Sequence, residues 1–154
     1  MNAIIIYSTL DGHNLEMGLF LRQKLLASVP LISTADFAKV QLADYDLLVL
    51  CPCTYGEGQL TEADQLFYNA LGKYHLPDTS FLVIGIGDKA FGPHNFANAA
   101  TLFARQLQQT GATPIVPPLK VDYEEVGTAR KRAVKVITKY YQKKGLPLST
   151  NTHA

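Results

Sequence analysis

The beginning of the chain limits its possible folds more than any other stretch. Residues 4–7 (IIIY) form an uninterrupted apolar run, which is typical of a strand buried on both faces of a helix-covered parallel sheet. A polar loop from Ser8 to Asn14 follows, and apolar residues then recur at helical spacing up to Leu26. The sequence therefore predicts a strand, a short polar loop and a helix over residues 14–28.

The loop after this strand has the composition of an anion-binding turn. Loop amides and a helix N-terminus point to one spot, where their partial positive charge attracts an anion. The hydroxyls of Ser8 and Thr9 add donors, and Gly12 allows a close approach of the backbone. We predict that the loop holds a phosphate, although the carboxylate of Asp11 would repel it. An ordinary capped turn is the alternative that this loop alone leaves open.

Four further apolar stretches predict the rest of a sheet. Residues 46–51 (DLLVLC) and 81–86 (FLVIGI) are strong strand candidates, and residues 31–33 and 113–116 are weaker ones. Pro117 and Pro118 place the last strand at a sheet edge, with residues 119–122 as a candidate continuation. One helical pattern begins at Thr61, and two others cover residues 96–110 and 123–143. Five strands alternating with helices predict a doubly wound parallel α/β sheet with helices on both faces.

Length and composition narrow the class of protein. The 154 residues suit one domain, which we assign to residues 1–144, with residues 145–154 as a flexible tail. A net charge of +1 gives no indication of nucleic-acid or membrane binding. Cys51 and Cys53 match neither a disulfide framework nor a zinc pattern, and we expect Cys51 to be a small buried hydrophobe. A reducing cytoplasm is the predicted location.

Three polar, glycine-containing loops are predicted to meet at one edge of the sheet. In doubly wound sheets, ligands bind beyond the carboxyl ends of the strands. Three strong strand candidates are each followed there by a loop, at residues 8–14, 53–60 and 87–96. The last two of these loops contain Tyr55 and Phe91, respectively. A phosphate on the first loop and a flat ring between the two aromatic side chains would describe a mononucleotide.

The chain resembles the short-chain flavodoxins and related single-domain, flavodoxin-like FMN proteins over residues 4–141. Three segments carry the resemblance: residues 7–14 (YSTLDGHN), residues 54–58 (TYGEG) with Leu60, and residues 85–88 (GIGD) with Phe91. The resemblance implies a flavodoxin-like fold that binds one FMN noncovalently, with the isoalloxazine ring between Tyr55 and Phe91. The residues that it places around the FMN are Ser8, Thr9, Leu10, Asp11, Gly12, His13, Asn14, Pro52, Cys53, Thr54, Tyr55, Gly56, Gly58, Gly87, Asp88, Phe91, His94, Asn95 and Phe96.

The resemblance also implies a function. It predicts a low-potential electron carrier, not an enzyme, that is monomeric and exchanges electrons with a reductase and an acceptor enzyme as redox partners. Two alternatives remain open, an FMN-dependent NAD(P)H reductase and a protein-binding module with weak or lost FMN binding. The second alternative is kept because Asp11 precedes Gly12 and Asn14 stands where the family has a threonine. A receiver-type signalling module is disfavoured because Tyr7, Ser8 and Thr9 occupy the place of its acidic cluster.

Overall fold

A computed structural model describes residues 2–148 of the chain, which form one parallel sheet covered by helices on both faces. The strands are β1 (Ala3–Tyr7), β2 (Leu31–Ser33), β3 (Leu47–Cys51), β4 (Ser80–Gly87), β5 (Thr113–Pro114) and β6 (Leu119–Asp122). The sheet order is β2-β1-β3-β4, and both β5 and β6 pair with β4 on its far side. This order confirms the predicted doubly wound sheet, because the chain reverses its direction of winding beside β1.

The fifth strand position is divided in two. β5 pairs with the start of β4 at Ser80 and Phe81, and β6 pairs with its end from Ile84 to Gly87. Pro117 and Pro118 lie between the two short strands and cannot donate ladder hydrogen bonds. The prediction of an irregular edge strand with a continuation is therefore confirmed.

The helices form a layer on each face of the sheet. They are α1 (His13–Lys24), α2 (Glu62–Leu71), α3 (Asn98–Gln109) and α4 (Val126–Lys143). The side chain of Ile5 is buried in the core that contains α1 and α4, whereas Ile4 and Ile6 are buried in the core that contains α2 and α3. This alternation explains why β1 is apolar at every position: both of its faces are covered.

Helix boundaries differ from the prediction at three places. α1 ends at Lys24 and not at residue 28, and Ser28 adopts a positive φ of 66°. α3 begins two residues later than predicted because Ala97, with φ 46°, is not helical. Residues Tyr123–Glu125 form a 3-10 turn that precedes α4. Two further 3-10 helices, Thr34–Lys39 and Leu42–Asp44, connect β2 to β3.

The start of α2 is capped by a side chain, as its sequence indicates. The hydroxyl of Thr61 accepts a hydrogen bond of 3.2 Å from the backbone N–H of Asp64. We expect Thr61→Ala to lower the free energy of unfolding by about 1 kcal/mol, because that N–H loses its acceptor. Urea denaturation of the ligand-free protein measures the change. Thr61→Ser keeps the acceptor, and a serine variant as unstable as the alanine variant would contradict this explanation.

The predicted flexible tail is only partly covered by the structure. Leu148 packs against the core beneath α4, and Leu146 donates a backbone hydrogen bond of 3.1 Å to Tyr141. Residues 149–154 lie outside the described part of the chain. Among residues 2–148, no helix is both long enough and apolar enough to cross a bilayer.

Candidate functional site

A cavity of about 410 Å³ opens at the carboxyl ends of the strands. It lies where β1, β3 and β4 end, which is the edge of the sheet where the three polar loops are predicted to meet. All three predicted loops contribute to its wall, and so does the segment after β6. The lining residues are Leu10, Asp11, His13, Asn14, Cys53, Thr54, Tyr55, Gly56, Ile86, Gly87, Asp88, Phe91, Asn95, Ala97 and Tyr123.

The first loop presents backbone donors at the start of α1. Gly12 has a φ of 96°, which a residue with a Cβ rarely adopts, and its N–H donates to the Thr9 hydroxyl at 2.6 Å. The N–H groups of Thr9, Leu10 and Asp11 find no protein acceptor within residues 2–148. Free N–H groups beside a helix N-terminus suit an anion.

The side chains of two predicted ligand residues of the first loop support that loop. Ser8 is buried, its N–H donates to the Cys51 carbonyl at 3.1 Å, and its hydroxyl donates to Asp64 at 2.5 Å. Asn14 is also buried, and its side chain bonds the backbone of Ile86 in β4 through both its oxygen and its nitrogen. The structure therefore uses the Ser8 hydroxyl and the Asn14 amide to hold the loop in place.

The second loop closes in a tight turn that exposes an aromatic ring. Tyr55 and Gln59 exchange backbone hydrogen bonds of 2.7 and 2.8 Å, and Gly56 and Gly58 between them have positive φ angles of 51° and 91°. The Tyr55 side chain is 52% exposed at the cavity. Because the turn is closed by its own backbone, the ring stays at the rim without packing into the core.

The third loop is fixed by carboxylates at its base. Asp88 accepts a hydrogen bond from the N–H of Ala90 at 2.9 Å, and Asp122 at the end of β6 accepts one from the N–H of Lys89 at 2.9 Å. The second bond, together with one from the N–H of Glu124, lowers the pKa of Asp122. These contacts position Phe91, which is 52% exposed at the cavity.

Gly87 allows α3 to approach the third loop closely. A Cβ atom at this position would lie 3.0 Å from the backbone nitrogen of Ala97. Ala97 itself lines the cavity. Glycine therefore suits the place where β4 ends, because a Cβ atom there would push the Ala97 backbone, and the wall that it forms, by a few tenths of an ångström.

Sequence reasoning missed three residues of the wall. Ile86 and Ala97 are buried and contribute mainly shape, whereas Tyr123 is exposed and its ring lies 5.8 Å from the ring of His13. Tyr123 directly follows β6, so the rule that ligands bind at the carboxyl ends of strands would have found it. It was missed because residue 123 was read as the start of the last helix.

Several predicted site residues do not reach the cavity wall. Thr9 and Gly12 bond each other just behind it, and Gly58 is packed against Asn95. The exposed His94 lies elsewhere on the third loop. The predicted residues outside the wall are Ser8, Thr9, Gly12, Pro52, Gly58, His94 and Phe96.

Charge is distributed unevenly between the cavity and α4. Asp11 and Asp88 line the cavity, with Glu57 exposed on the neighbouring loop, and His13 lies 3.6 Å from Asp11. α4 carries six Lys and Arg residues and no Asp or Glu. It starts beside the cavity and runs back toward the amino ends of the strands, as a helix covering a parallel sheet does. The cavity rim is thus acidic, and the last helix is basic.

The two cysteines lie at the end of β3, close to the cavity, but are chemically protected. Burial raises the pKa of the Cys51 thiol to about 12 and also raises the pKa of Cys53. We expect neither thiol to react readily with iodoacetamide in the folded protein at mildly alkaline pH, because the thiolate is the nucleophile. Mass spectrometry of alkylated samples checks this against protein unfolded in urea. Equally fast alkylation of both samples would contradict it.

The wall of the cavity fits a flat, phosphorylated ring system. Two aromatic side chains that are half exposed, Tyr55 and Phe91, both line the cavity. Free N–H groups of the first loop lie at the same edge of the sheet. Aromatic faces bind planar rings, and N–H groups at a helix start bind phosphates.

Comparisons with known proteins agree with this geometry. The family model of the flavodoxins matches residues 5–135. The flavoprotein alpha-component of the NADPH sulfite reductase of Serratia proteamaculans is 32% identical over 142 residues, which cover 86% of this chain and 23% of that protein. The chain thus spans about a quarter of the length of this relative.

Solved structures show the same fold. A short-chain flavodoxin associated with a bacterial microcompartment is 26% identical, with a TM-score of 0.76 over 90% of this chain and 99% of that chain. The FMN-bound flavodoxin of Fusobacterium nucleatum is 19% identical, with a TM-score of 0.75 over 93% of this chain and 99% of that one.

Proposed function

Because the chain belongs to the flavodoxin family, we propose that it carries electrons at low potential on one noncovalently bound FMN, between a reductase and an acceptor protein. The observation that carries the proposal is the cavity at the carboxyl edge of the sheet, with Tyr55 and Phe91 half exposed in its wall. When bound there, FMN supplies the one- and two-electron chemistry that amino-acid side chains lack.

The three loops bind different parts of FMN. Backbone N–H groups of the first loop, from Thr9 to Asp11, hold the phosphate, and the N-terminus of α1 adds its dipole. Tyr55 and Phe91 stack on the flavin ring. Cys53, Gly56 and Gly87 also line the cavity, and their backbone groups would bind the polar edge of the ring and the ribityl chain.

The acidic rim favours the oxidised cofactor. Asp11 and Asp88 line the cavity, and Glu57 is exposed beside it. Negative charges near the ring repel the negative charge that reduction adds, which lowers the reduction potential. Among the residues that the structure describes, no Lys or Arg lines the cavity to offset this repulsion.

The exposed rim is also the proposed exit for electrons. Tyr55 and Phe91 are half exposed, so a partner protein can come within contact of the cofactor edge. A monomeric electron carrier that catalyses no reaction of its own needs only this access of a partner protein to the cofactor edge. Two buried, free thiols are compatible with the reducing cytoplasm that we propose as the location.

Flavin fluorescence tests the cofactor assignment. Ligand-free protein is titrated into FMN, and we expect the flavin emission to be quenched with a micromolar or lower dissociation constant. The bound protein should be bleached by dithionite and recover its visible spectrum on addition of cytochrome c as an electron acceptor. Unchanged FMN emission across the micromolar range would refute the proposal.

A second candidate function has one observation in its favour. The Serratia relative is named as part of an NADPH-dependent reductase, and the chain matches only a quarter of that protein. The chain could thus serve as the FMN-binding part of a reductase that takes electrons from NADPH. Anaerobic addition of NADPH to the FMN-loaded protein distinguishes the two, because bleaching without a second protein would favour the reductase.

A further inference from the structure

Asp64 is a buried carboxylate directly beneath the first loop. It lies on α2, and its exposed fraction is 0%. Each carboxylate oxygen accepts one hydroxyl group: Oδ2 accepts from Ser8 at 2.5 Å, and Oδ1 accepts from Thr34 at 2.5 Å. Burial raises the pKa of Asp64 above its ordinary value, and these hydrogen bonds act in the opposite direction.

Within the described part of the chain, the carboxylate of Asp64 forms no ion pair. No Lys, Arg or His nitrogen of residues 2–148 lies within 4.0 Å of its carboxylate. The facing groups are the hydroxyls of Ser8, Thr34 and Thr61 and the titratable thiol of Cys53. An ionised Asp64 is therefore an uncompensated buried charge held only by hydroxyl groups, which is costly.

Asp64 also fixes the direction of the Ser8 hydroxyl. With Asp64 ionised, Ser8 donates its only hydroxyl hydrogen inward, and its oxygen accepts the N–H of Cys53 at 2.9 Å. The N–H of Ser8 is already bonded to Cys51. The first residue of the phosphate loop therefore offers no hydrogen to an anion, and a negative charge lies below it.

We propose that Asp64 is a specificity-determining residue that weakens the hold of the first loop on the phosphate of FMN and so reduces the preference of the site for FMN over riboflavin. This rests on the proposed function, because it assumes that the first loop holds the phosphate. A flavin without a phosphate is insensitive to Asp64. A neutral side chain at this position, or protonation of the carboxyl group, removes the repulsion.

The decisive measurement compares FMN with riboflavin. Fluorescence titration gives both dissociation constants for the wild-type protein and for Asp64→Asn, whose amide can accept one hydroxyl and donate to the other. We expect FMN to bind about tenfold more tightly to Asp64→Asn, with riboflavin affinity unchanged. The matched control is Asp36→Asn, which removes a carboxylate paired with Lys39 on the surface at 3.1 Å and should leave both affinities unchanged.

The pH dependence separates Asp64 from other titrating groups. The phosphate of FMN also titrates, but it is the same group in the experiments with the wild-type protein and with Asp64→Asn. The ratio of the FMN affinity of Asp64→Asn to the FMN affinity of the wild-type protein therefore reports the effect of Asp64 alone. We expect that ratio to fall toward one as the pH is lowered through the raised pKa of Asp64, because protonation makes the wild-type site neutral as well.

The stability of the ligand-free protein gives a readout without flavin. Because the folded-state pKa of Asp64 is raised, the contribution of this group to the stability of the wild-type protein is lost as the pH rises from about 3.9, the unfolded-chain value, through the folded-state pKa. Asp64→Asn lacks this loss. The difference in urea stability between the two proteins should shift in favour of Asp64→Asn across that range and then become constant.

Each outcome decides a different question. If wild-type protein leaves FMN emission unchanged, the proposed function fails. If it binds FMN but the FMN-to-riboflavin ratio is the same in Asp64→Asn and in a second neutral variant, Asp64→Ser, the role of Asp64 is refuted. If neither variant folds, the role of Asp64 is tested in the double variant Asp11→Asn/His13→Gln, which keeps Asp64. Its preference for riboflavin 5′-sulfate over riboflavin should rise as the pH falls, and a constant preference would overturn the proposal.

Discussion

Replacing both Tyr55 and Phe91 with alanine is expected to weaken FMN binding about a hundredfold, because stacking on an aromatic side chain contributes about 1–3 kcal/mol per ring face. Each side chain is 52% exposed at the cavity in the ligand-free structure. Their removal therefore costs the fold little, and the variant should remain folded. Quenching of flavin fluorescence measures the dissociation constant.

The single variants and a control assign the loss to stacking. Tyr55→Ala and Phe91→Ala should each weaken binding about tenfold, if the two rings act on opposite faces of the flavin. Leu66→Ala removes an apolar side chain that is 61% exposed on α2, away from the cavity wall, and should not change the affinity. A double variant that binds FMN as tightly as the Leu66→Ala protein would refute the placement of the ring.

Replacing Asn14 with alanine is expected to lower the free energy of unfolding by about 2–4 kcal/mol. The Asn14 side chain accepts the N–H of Ile86 at 3.1 Å and donates to the Ile86 carbonyl at 3.4 Å, and this site is buried. Alanine leaves a buried N–H group and a buried carbonyl without partners, each costing about 1–3 kcal/mol. Urea denaturation of the ligand-free protein measures the change.

The matched control for Asn14 is an exposed asparagine. Asn69 lies on α2, where its oxygen accepts a hydrogen bond from the Gln65 side chain at the surface. Asn69→Ala should change the free energy of unfolding by less than about 0.5 kcal/mol, as surface substitutions usually do. An Asn14→Ala protein no less stable than Asn69→Ala would show that the contact with Ile86 contributes nothing.

The sheet could be predicted from sequence because its strands are buried on both faces. The runs at residues 4–7, 46–51 and 81–86 are apolar at almost every position, and no surface helix of this size has that pattern. The ends of the helices could not be predicted as well. The late start of α3 depends on the positive φ of Ala97, which packs against Gly87, and alanine gives no local signal for that conformation.

The site was predictable where function depends on loop composition, and not where it depends on long-range contacts. Tyr55 and Phe91 stand out as aromatic residues in glycine-containing loops, and both line the cavity. The Ser8 hydroxyl was predicted to be a donor to the phosphate, and the resemblance placed both Ser8 and Asn14 around the FMN. Their partners, Asp64 and Ile86, lie 56 and 72 residues away, so nothing near them in sequence indicates that their side chains are already engaged.

The opposite charges of the cavity rim and α4 have a consequence for encounters with other proteins. A net charge of +1 suggests weak electrostatics, but acidic side chains at the cavity and six Lys and Arg residues on α4 separate charge within the molecule. A charged partner that approaches to about 10 Å, the screening distance in 0.1 M salt, exerts a torque that turns one end toward it. Partners of opposite sign would thus meet opposite poles of the same molecule, and added salt would slow both encounters.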